Sequence, residues 1–355
     1  MKRVVYCAVL ALSVILPTSC NNETGNRFET VQYDIDDFKL TEATFEEVEF
    51  SKEFIHAKTL YVYSDSVLIV SNKASADYFL ELYNLNTEEC IAQFIRKGNG
   101  PKEMLNAQMS LYGNILVVDD IVKMNFVSID LDRVINERDS FELDEFRSYG
   151  ADGANPVAVY PMDSDKLLFM NQYCFDSKEL KIFNNEPRFY YNEREFRIRL
   201  VDTFNVSQGK MQINKKDSLI VYASNTRPEM ELYDFGLNPL RKVVGPTEMH
   251  VSYRRKSLAF NNHVPEAYMG LAADDGHIYA TYVGNQRDNA LEESKPYTYI
   301  LRYDWDCRLT DAVLLPLRLD RISPTSRPDV FYVCSGIARD TERILYKVTC
   351  TGWTK

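Results

Sequence analysis

One element recurs along this chain and constrains its fold more than any other feature. It is a polar turn, often carrying Asp, that runs into a short apolar strand. The copies read SDSVLIVSN at Ser64, GNILVVDD at Gly113, DSDKLLFMN at Asp163, KDSLIVYAS at Lys216, DDGHIYATYVG at Asp274 and DTERILYKVT at Asp340. Successive starts lie 49, 50, 53, 58 and 66 residues apart. A unit of that length cannot bury its own apolar face, so neighbouring copies must stack. The spacing suits a four-stranded propeller blade with loops of variable length. Long amphipathic helix patterns are scarce. Tyr (23) and Phe (19), which favour pleated, half-buried surfaces, are plentiful.

A second element follows several copies: an apolar-aromatic strand entering an Asx turn. It occurs as LYNLNTEEC at Leu82, VSIDLDRVI at Val127, LYDFGLNPL at Leu232 and LRYDWDCRL at Leu301, with a less regular IRLVDTFNV at Ile198. Each reads as a β-hairpin. The sixth copy has too little chain after it for such a partner. An unpaired edge strand is a liability. A segment within Thr44 to Phe54, or just before it, is therefore expected to pair beside Ile344–Val348. The expected fold is all-β: a six-bladed β-propeller of four-stranded antiparallel blades, its ring closed by an N-terminal strand. An open, partly irregular sandwich is the alternative.

The N-terminus reads MKRVVYCAVLALSVILPTSC. Lys2 and Arg3 precede 13 residues, Val4 to Leu16, that are apolar apart from Ser13. That run is too short to span a bilayer and suits a signal peptide. Small residues before Cys20 fit a bacterial lipoprotein cleavage box, with Cys20 the lipidated first residue. An ordinary secretory signal is the alternative. The expected organisation is a signal peptide over 1–19, a lipidated tether over 20–40 and the propeller over 41–355. Cleavage takes the formal charge from −11 to −13. So acidic a chain is ill suited to nucleic acid, whose phosphates need clustered Lys and Arg. Cys90, Cys174, Cys307, Cys334 and Cys350 remain in the mature chain. No C-x-x-C spacing points to zinc or a redox dithiol. Buried free thiols are expected, with a Cys334–Cys350 bridge as the alternative.

The stretch RKGNGPKEML at Arg96 raises the question of a phosphate cradle. Such a cradle needs inward backbone N–H groups at a helix N-terminus. Pro101 has none, Glu103 would repel phosphate, and no G-K-[ST] follows. The stretch reads instead as a connector between blades. Gly98 and Gly100 are expected to supply positive φ, Pro101 to stiffen the turn, and Glu103 to accept hydrogen bonds from loop amides or from Arg96.

Gly98-Asn99-Gly100-Pro101-Lys102-Glu103 resembles the G-x-G-P-x-E connector of six-bladed, TolB-like propeller lipoproteins of Bacteroides-type bacteria. Ala267 to Leu309, with AYMGLAADDGHIYATYVG and YILRYDWDCRL, is similar to late blades of that family. Cys307 stands where the family usually has Gly, so a different turn is expected there. The resemblance spans roughly residues 40–350. It implies a six-bladed propeller on a lipid anchor and carries no enzymatic activity with it.

The residues show no catalytic constellation. His56, His250, His263 and His277 are not at metal-ligand spacing, and neither H-E-x-x-H nor G-x-S-x-G occurs. Asp36-Asp37, Glu46-Glu47, Asp119-Asp120 and Asp274-Asp275 read as turn formers, with calcium as the alternative. Phe189-Tyr190-Tyr191 and Tyr253-Arg254-Arg255-Lys256 read as surface segments that could meet a ligand. The expected function is a ligand-binding or protein-interaction module of the cell envelope, its membrane contact made by the lipid. Its partner would be a glycan, a peptide or an envelope protein, and no cofactor is expected. Candidate binding residues are Arg96, Asn99, Glu103, Arg254 and His263. A propeller hydrolase, lactonase or lyase with a channel calcium is the rival, resting on fold analogy alone.

Overall fold

A computed structural model describes residues 28–51, 57–72, 75–120, 122–138, 141–148, 156–161, 167–171, 174–175, 182–183, 188–191, 194–197, 209–247, 249, 253–254, 259–260, 264–287, 297–335 and 343–353. Its architecture is an all-β propeller. Among the described residues there are six sheets of four or five strands and two two-stranded hairpins. In chain order the sheets start with the inner strands Ala57–Tyr63, Ala107–Tyr112, Pro156–Pro161, Gly209–Asn214, Val264–Ala273 and Leu319–Pro324; they are called sheets one to six here. Each inner strand pairs antiparallel with the strand that follows it in the chain.

Packing explains why these segments are apolar without alternation. A sheet in the middle of a stack is covered on both faces, so its inner strands bury both sets of side chains. Val67–Asn72 is buried at every position, and Ile115–Asp120 and Leu219–Ser224 are nearly so. Contacts run from sheet one to two, two to three, three to four, four to five and five to six. The inner strand of sheet six also touches that of sheet one. At this last junction the Val62 N–H donates to Ser323 Oγ (3.3 Å), and Asp65 accepts from the Ser326 backbone N–H (3.0 Å). Large aromatic side chains fill the spaces between sheets. Between five and six, Tyr279 and Phe331 lie 4.9 Å apart, and Phe331 and Trp353 5.4 Å.

The hairpin turns share one device. Asn84, Asp234 and Asp304 each accept backbone N–H groups three or four residues on, namely Thr87, Asn238 and Arg308. A left-handed residue then closes each turn: Glu88 (φ 57°), Leu237 (φ 60°) and Cys307 (φ 58°). Cys307 therefore keeps the conformation a glycine would adopt, and the expected change of turn type is not seen.

Three expectations change, and a fourth falls outside the described residues. The Asp340 copy is out of step, because sheet six turns between Leu319–Pro324 and Val330–Ser335. SPTSRPD at Ser323, 49 residues after Asp274, is the true equivalent. At Val127 the second strand of the expected hairpin is replaced by a helix, Leu131–Glu137. Asp130 accepts the Asp132 and Arg133 N–H groups and so caps that helix. In sheet three, Arg188–Tyr191 pairs with Arg194–Arg197, while Ile198 lies outside the described residues. Part of the expected tether also belongs to the fold. Glu29–Gln32 adds a parallel strand to Pro239–Val244, and Ile35 is buried in the core between sheets four and five.

Ala43–Glu47 pairs antiparallel with Leu345–Cys350, with Phe45 opposite Val348. Cys334 pairs in register with Leu345, at the other end of that strand from Cys350. Cys307, Cys334 and Cys350 are free thiols, so Cys334 and Cys350 form no bridge.

Candidate functional site

Strand direction separates two ends of the propeller. The connector at Gly98 follows the fourth strand of sheet one, Cys90–Lys97, and precedes the start of the inner strand of sheet two. The turns at Ser64 and Gly113 lie at the opposite end of the same sheets.

At the connector end the Glu103 carboxylate occupies the space a phosphate would need. It accepts the Gly100 N–H (2.8 Å). A Cβ on Gly98 would stand 2.1 Å from Glu103 Oε2. Lys123 Nζ donates to the carbonyls of Gly100 (2.6 Å) and Glu103 (2.7 Å). Asp120, fully buried, accepts backbone N–H groups from Leu105, Asn106 (3.3 Å), Val122 (2.8 Å) and Lys123 (3.1 Å). The loop is thus internally satisfied. Arg96 lies over the ring of Tyr78, 5.6 Å from its centroid. Arg96, Asn99 and Glu103 do not join the cleft described next. The backbone of Tyr253–Arg254 forms a small hairpin with Ala259–Phe260, and His56, His250, His263 and Cys20 lie outside the described residues.

At the turn end a cleft of about 180 Å³ opens where the inner strands converge. Its walls come from sheets one, two, four, five and six, and include Tyr61, Tyr63, Tyr112, Gln212, Ala272 and Ser323. Tyr63 donates its hydroxyl to Asp132 (2.8 Å). Burial, then that hydrogen bond, push its phenol pKa up. Tyr112 accepts the Lys215 N–H (3.2 Å), and its ring lies 4.7 Å from Lys215 Nζ. Gln212 donates Nε2 to the Leu271 carbonyl (3.0 Å); its amide oxygen has no partner among the described residues. Three aromatic rings and an amide oriented by a second sheet form a recognition surface.

Reactive groups do not gather there. Burial pushes the thiols of Cys307, Cys334 and Cys350 up to about 12, so they are protonated and inert at neutral pH. Among the described residues no group of three or more His, Cys, Asp or Glu could hold a metal ion. Asp274, from one of the carboxylate pairs, accepts the N–H groups of Gly276 and His277 (both 2.7 Å) and so forms a turn. The cleft was missed in the sequence because its residues come one or two from each copy. The signal that could have found it is the aromatic residue just before the turn: Tyr63 before Ser64 and Tyr112 before Gly113.

Sheets around an axis with a cleft at one end define a β-propeller. The profile of the TolB-like 6-blade propeller-like family matches residues 41–322, and the chain belongs to that family. Among solved structures it is similar to a member of the DUF4221 family from Bacteroides vulgatus, with a TM-score of 0.56, 9% identity, and 88% of this chain and 97% of that one covered. It is also similar to a Bacteroides fragilis protein provisionally described as exported, with a TM-score of 0.55, 11% identity, and 92% and 100% covered. At such identities the likeness extends to the fold alone. No curated protein matches the chain.

If Glu103 and Asp120 are braces, removing them costs stability in proportion to the N–H groups they hold. Asp120→Ala is expected to lower the unfolding free energy by about 2–4 kcal/mol and Glu103→Ala by about 1–2 kcal/mol, measured by urea denaturation. A Glu103→Ala protein as stable as the wild type would remove the bracing role.

Proposed function

We propose that this chain is an exported, lipid-anchored binding propeller that takes a small ligand in the cleft at the turn end of its channel. The observation that carries the reading is that cleft: five sheets contribute to it, and Tyr63, Tyr112 and Gln212 are held by hydrogen bonds. Ligands of propellers enter at one end of the axis, on loops from several blades. In this reading the six sheets are six blades. Ala43–Glu47 supplies the outer strand of the last blade, so the ring is closed between chain ends. The family description, which specifies six blades, and the contact of sheet six with sheet one support this.

Cys20 is the lipid site in the same reading. The short apolar leader supports export, as does the provisional description of the similar Bacteroides fragilis protein. Among the described residues no helix is long and apolar enough to cross a membrane. The partner class is a glycan, a peptide or an envelope protein that presents a small group to the cleft.

Thermal-shift screening of the mature chain against glycans, peptides and small organic acids is expected to give a concentration-dependent rise in Tm. The double variant Tyr63→Ala/Tyr112→Ala should abolish it; a rise that survives in the variant puts the ligand elsewhere. For closure, the register places Thr44 and Glu46 with their N–H groups toward Leu345–Cys350. Thr44→Pro/Glu46→Pro removes both bonds and is expected to cost about 3 kcal/mol or more in urea denaturation; an unaltered midpoint would show the strand to be dispensable. Cys20→Ser, expressed with its leader in a Gram-negative host, should move the protein from the membrane to the soluble fraction. Equal membrane recovery of both forms would reject the anchor.

A further inference from the structure

The wall of the turn-end cleft is polar without being charged. Among the described residues, none that lines it carries a formal charge. Two charged side chains touch its tyrosines, and they have opposite signs. Asp132 takes the Tyr63 hydroxyl (2.8 Å), and Lys215 Nζ lies 4.7 Å from the centre of the Tyr112 ring. An ion entering between such walls would leave water and meet no counter-charge, which costs more than neutral hydrogen bonds return. The group that fills the cleft is therefore neutral.

The open hydrogen-bonding groups of the wall stand on four different sheets. The Tyr61 hydroxyl, on sheet one, has no partner among the described residues. The Tyr112 oxygen of sheet two accepts the Lys215 N–H (3.2 Å), and the Ser323 oxygen of sheet six accepts the Val62 N–H (3.3 Å). Each keeps its own proton to donate. Gln212 of sheet four donates one N–H to the Leu271 carbonyl (3.0 Å) and presents its amide oxygen. Donors and an acceptor are thus set around the circumference rather than along one side. Between them the wall is apolar, with Leu271 and Ala272 of sheet five and the tyrosine rings.

That distribution selects among neutral rings. A heteroaromatic base gathers its polar atoms on one or two edges, and a plain hydrocarbon ring has none. A sugar ring carries hydroxyls all round its rim, each able to donate and accept, and C–H faces that pack on aromatic rings. The cleft volume, about 180 Å³, suits one six-membered ring, since a cavity of about 150 Å³ takes benzene. Ser64 and Gly113 on its wall are exposed, so a ring at the end of a longer chain can enter while the rest stays outside. We propose that the cleft binds a single neutral sugar ring, free or at the end of a glycan, and rejects ionised uronic acids and protonated amino sugars. The proposal rests on the cleft being the ligand site.

The test is calorimetric titration of the mature protein with methyl glucoside, methyl galactoside, methyl mannoside, glucuronate, glucosamine and cyclohexanol. It is run at mildly acid pH, where glucuronate is ionised and glucosamine protonated. At least one methyl glycoside is expected to bind about tenfold more tightly than glucuronate, glucosamine or cyclohexanol. Gln212→Glu puts a negative charge into the wall; it should weaken that glycoside about tenfold and favour glucosamine instead. Tyr61→Phe removes an unpartnered hydroxyl and should weaken the glycoside without lowering Tm. Glucuronate, glucosamine or cyclohexanol bound as tightly as the best glycoside overturns the proposal. If that binding is lost in Tyr63→Ala/Tyr112→Ala, the cleft remains the ligand site. Absence of binding by every methyl glycoside also overturns the proposal, and the wider screen then decides the cleft reading by itself. Should Gln212→Glu fail to fold, the wild-type ranking and Tyr61→Phe decide.

Discussion

Everything in this fold depends on small sheets burying both faces against neighbours. A four-stranded sheet is too small to stand alone in water, and its inner strands here are apolar on both sides. Val67–Asn72 makes sense only with sheet six on one face and sheet two on the other. The same constraint makes aromatic residues the filling of choice. A wedge between twisted sheets widens outward, and Tyr279, Phe331 and Trp353 span it as smaller side chains would not.

Burial on both faces also decides where polar groups can sit. Glu81 and Glu231 occupy equivalent places in the third strands of sheets one and four. Each takes the hydroxyl of a tyrosine two residues on, Tyr83 (2.9 Å) and Tyr233 (2.5 Å). Glu81 adds Asn72 (3.0 Å) and Gln93 (2.9 Å), while Glu231 lies 3.5 Å from Lys242 Nζ. Burial nonetheless raises the Glu231 carboxyl pKa, with Tyr233 and Lys242 acting against it. Its net effect on folding is therefore unfavourable once pH exceeds the unfolded carboxyl value. Such groups tie strands of one sheet together at a cost in stability and add specificity of register.

The repeat was legible because turn chemistry is local. Asn84, Asp234 and Asp304 fold their own next few residues, so three hairpins could be placed before any contact was known. The failures have physical causes too. Asp130 is as good a helix cap as a turn former, and only the packing of Leu131 and Val134 against sheets one and two selects the helix. In sheet six the DTER sequence mimics a turn that SPTSRPD provides; the 66-residue interval was the warning. Glu103 was readable as a brace because proline and a carboxylate are wrong for phosphate. Tyr61, Tyr112 and Gln212 were not readable as one cleft, since they come from three different sheets and only curvature around the axis gathers them.

The two ends of the molecule differ in what they leave uncommitted. At the connector end every strong group is answered within the fold: Glu103 by the loop it braces, Asp120 by four backbone amides, Lys123 by two carbonyls. The loop's own strong groups are thus satisfied by one another, which is why a loop rich in glycine and basic residues is structural. Nearer the axis the charges are answered as well: Asp320 Oδ2 lies beside Arg343 and Glu266 beside Arg318. Arg302, nearly fully buried, pairs with Asp311 and lies over Trp353. What the fold leaves uncommitted at the turn end is therefore not charge but the face of the cleft, with tyrosine rings and the Gln212 amide set on five sheets.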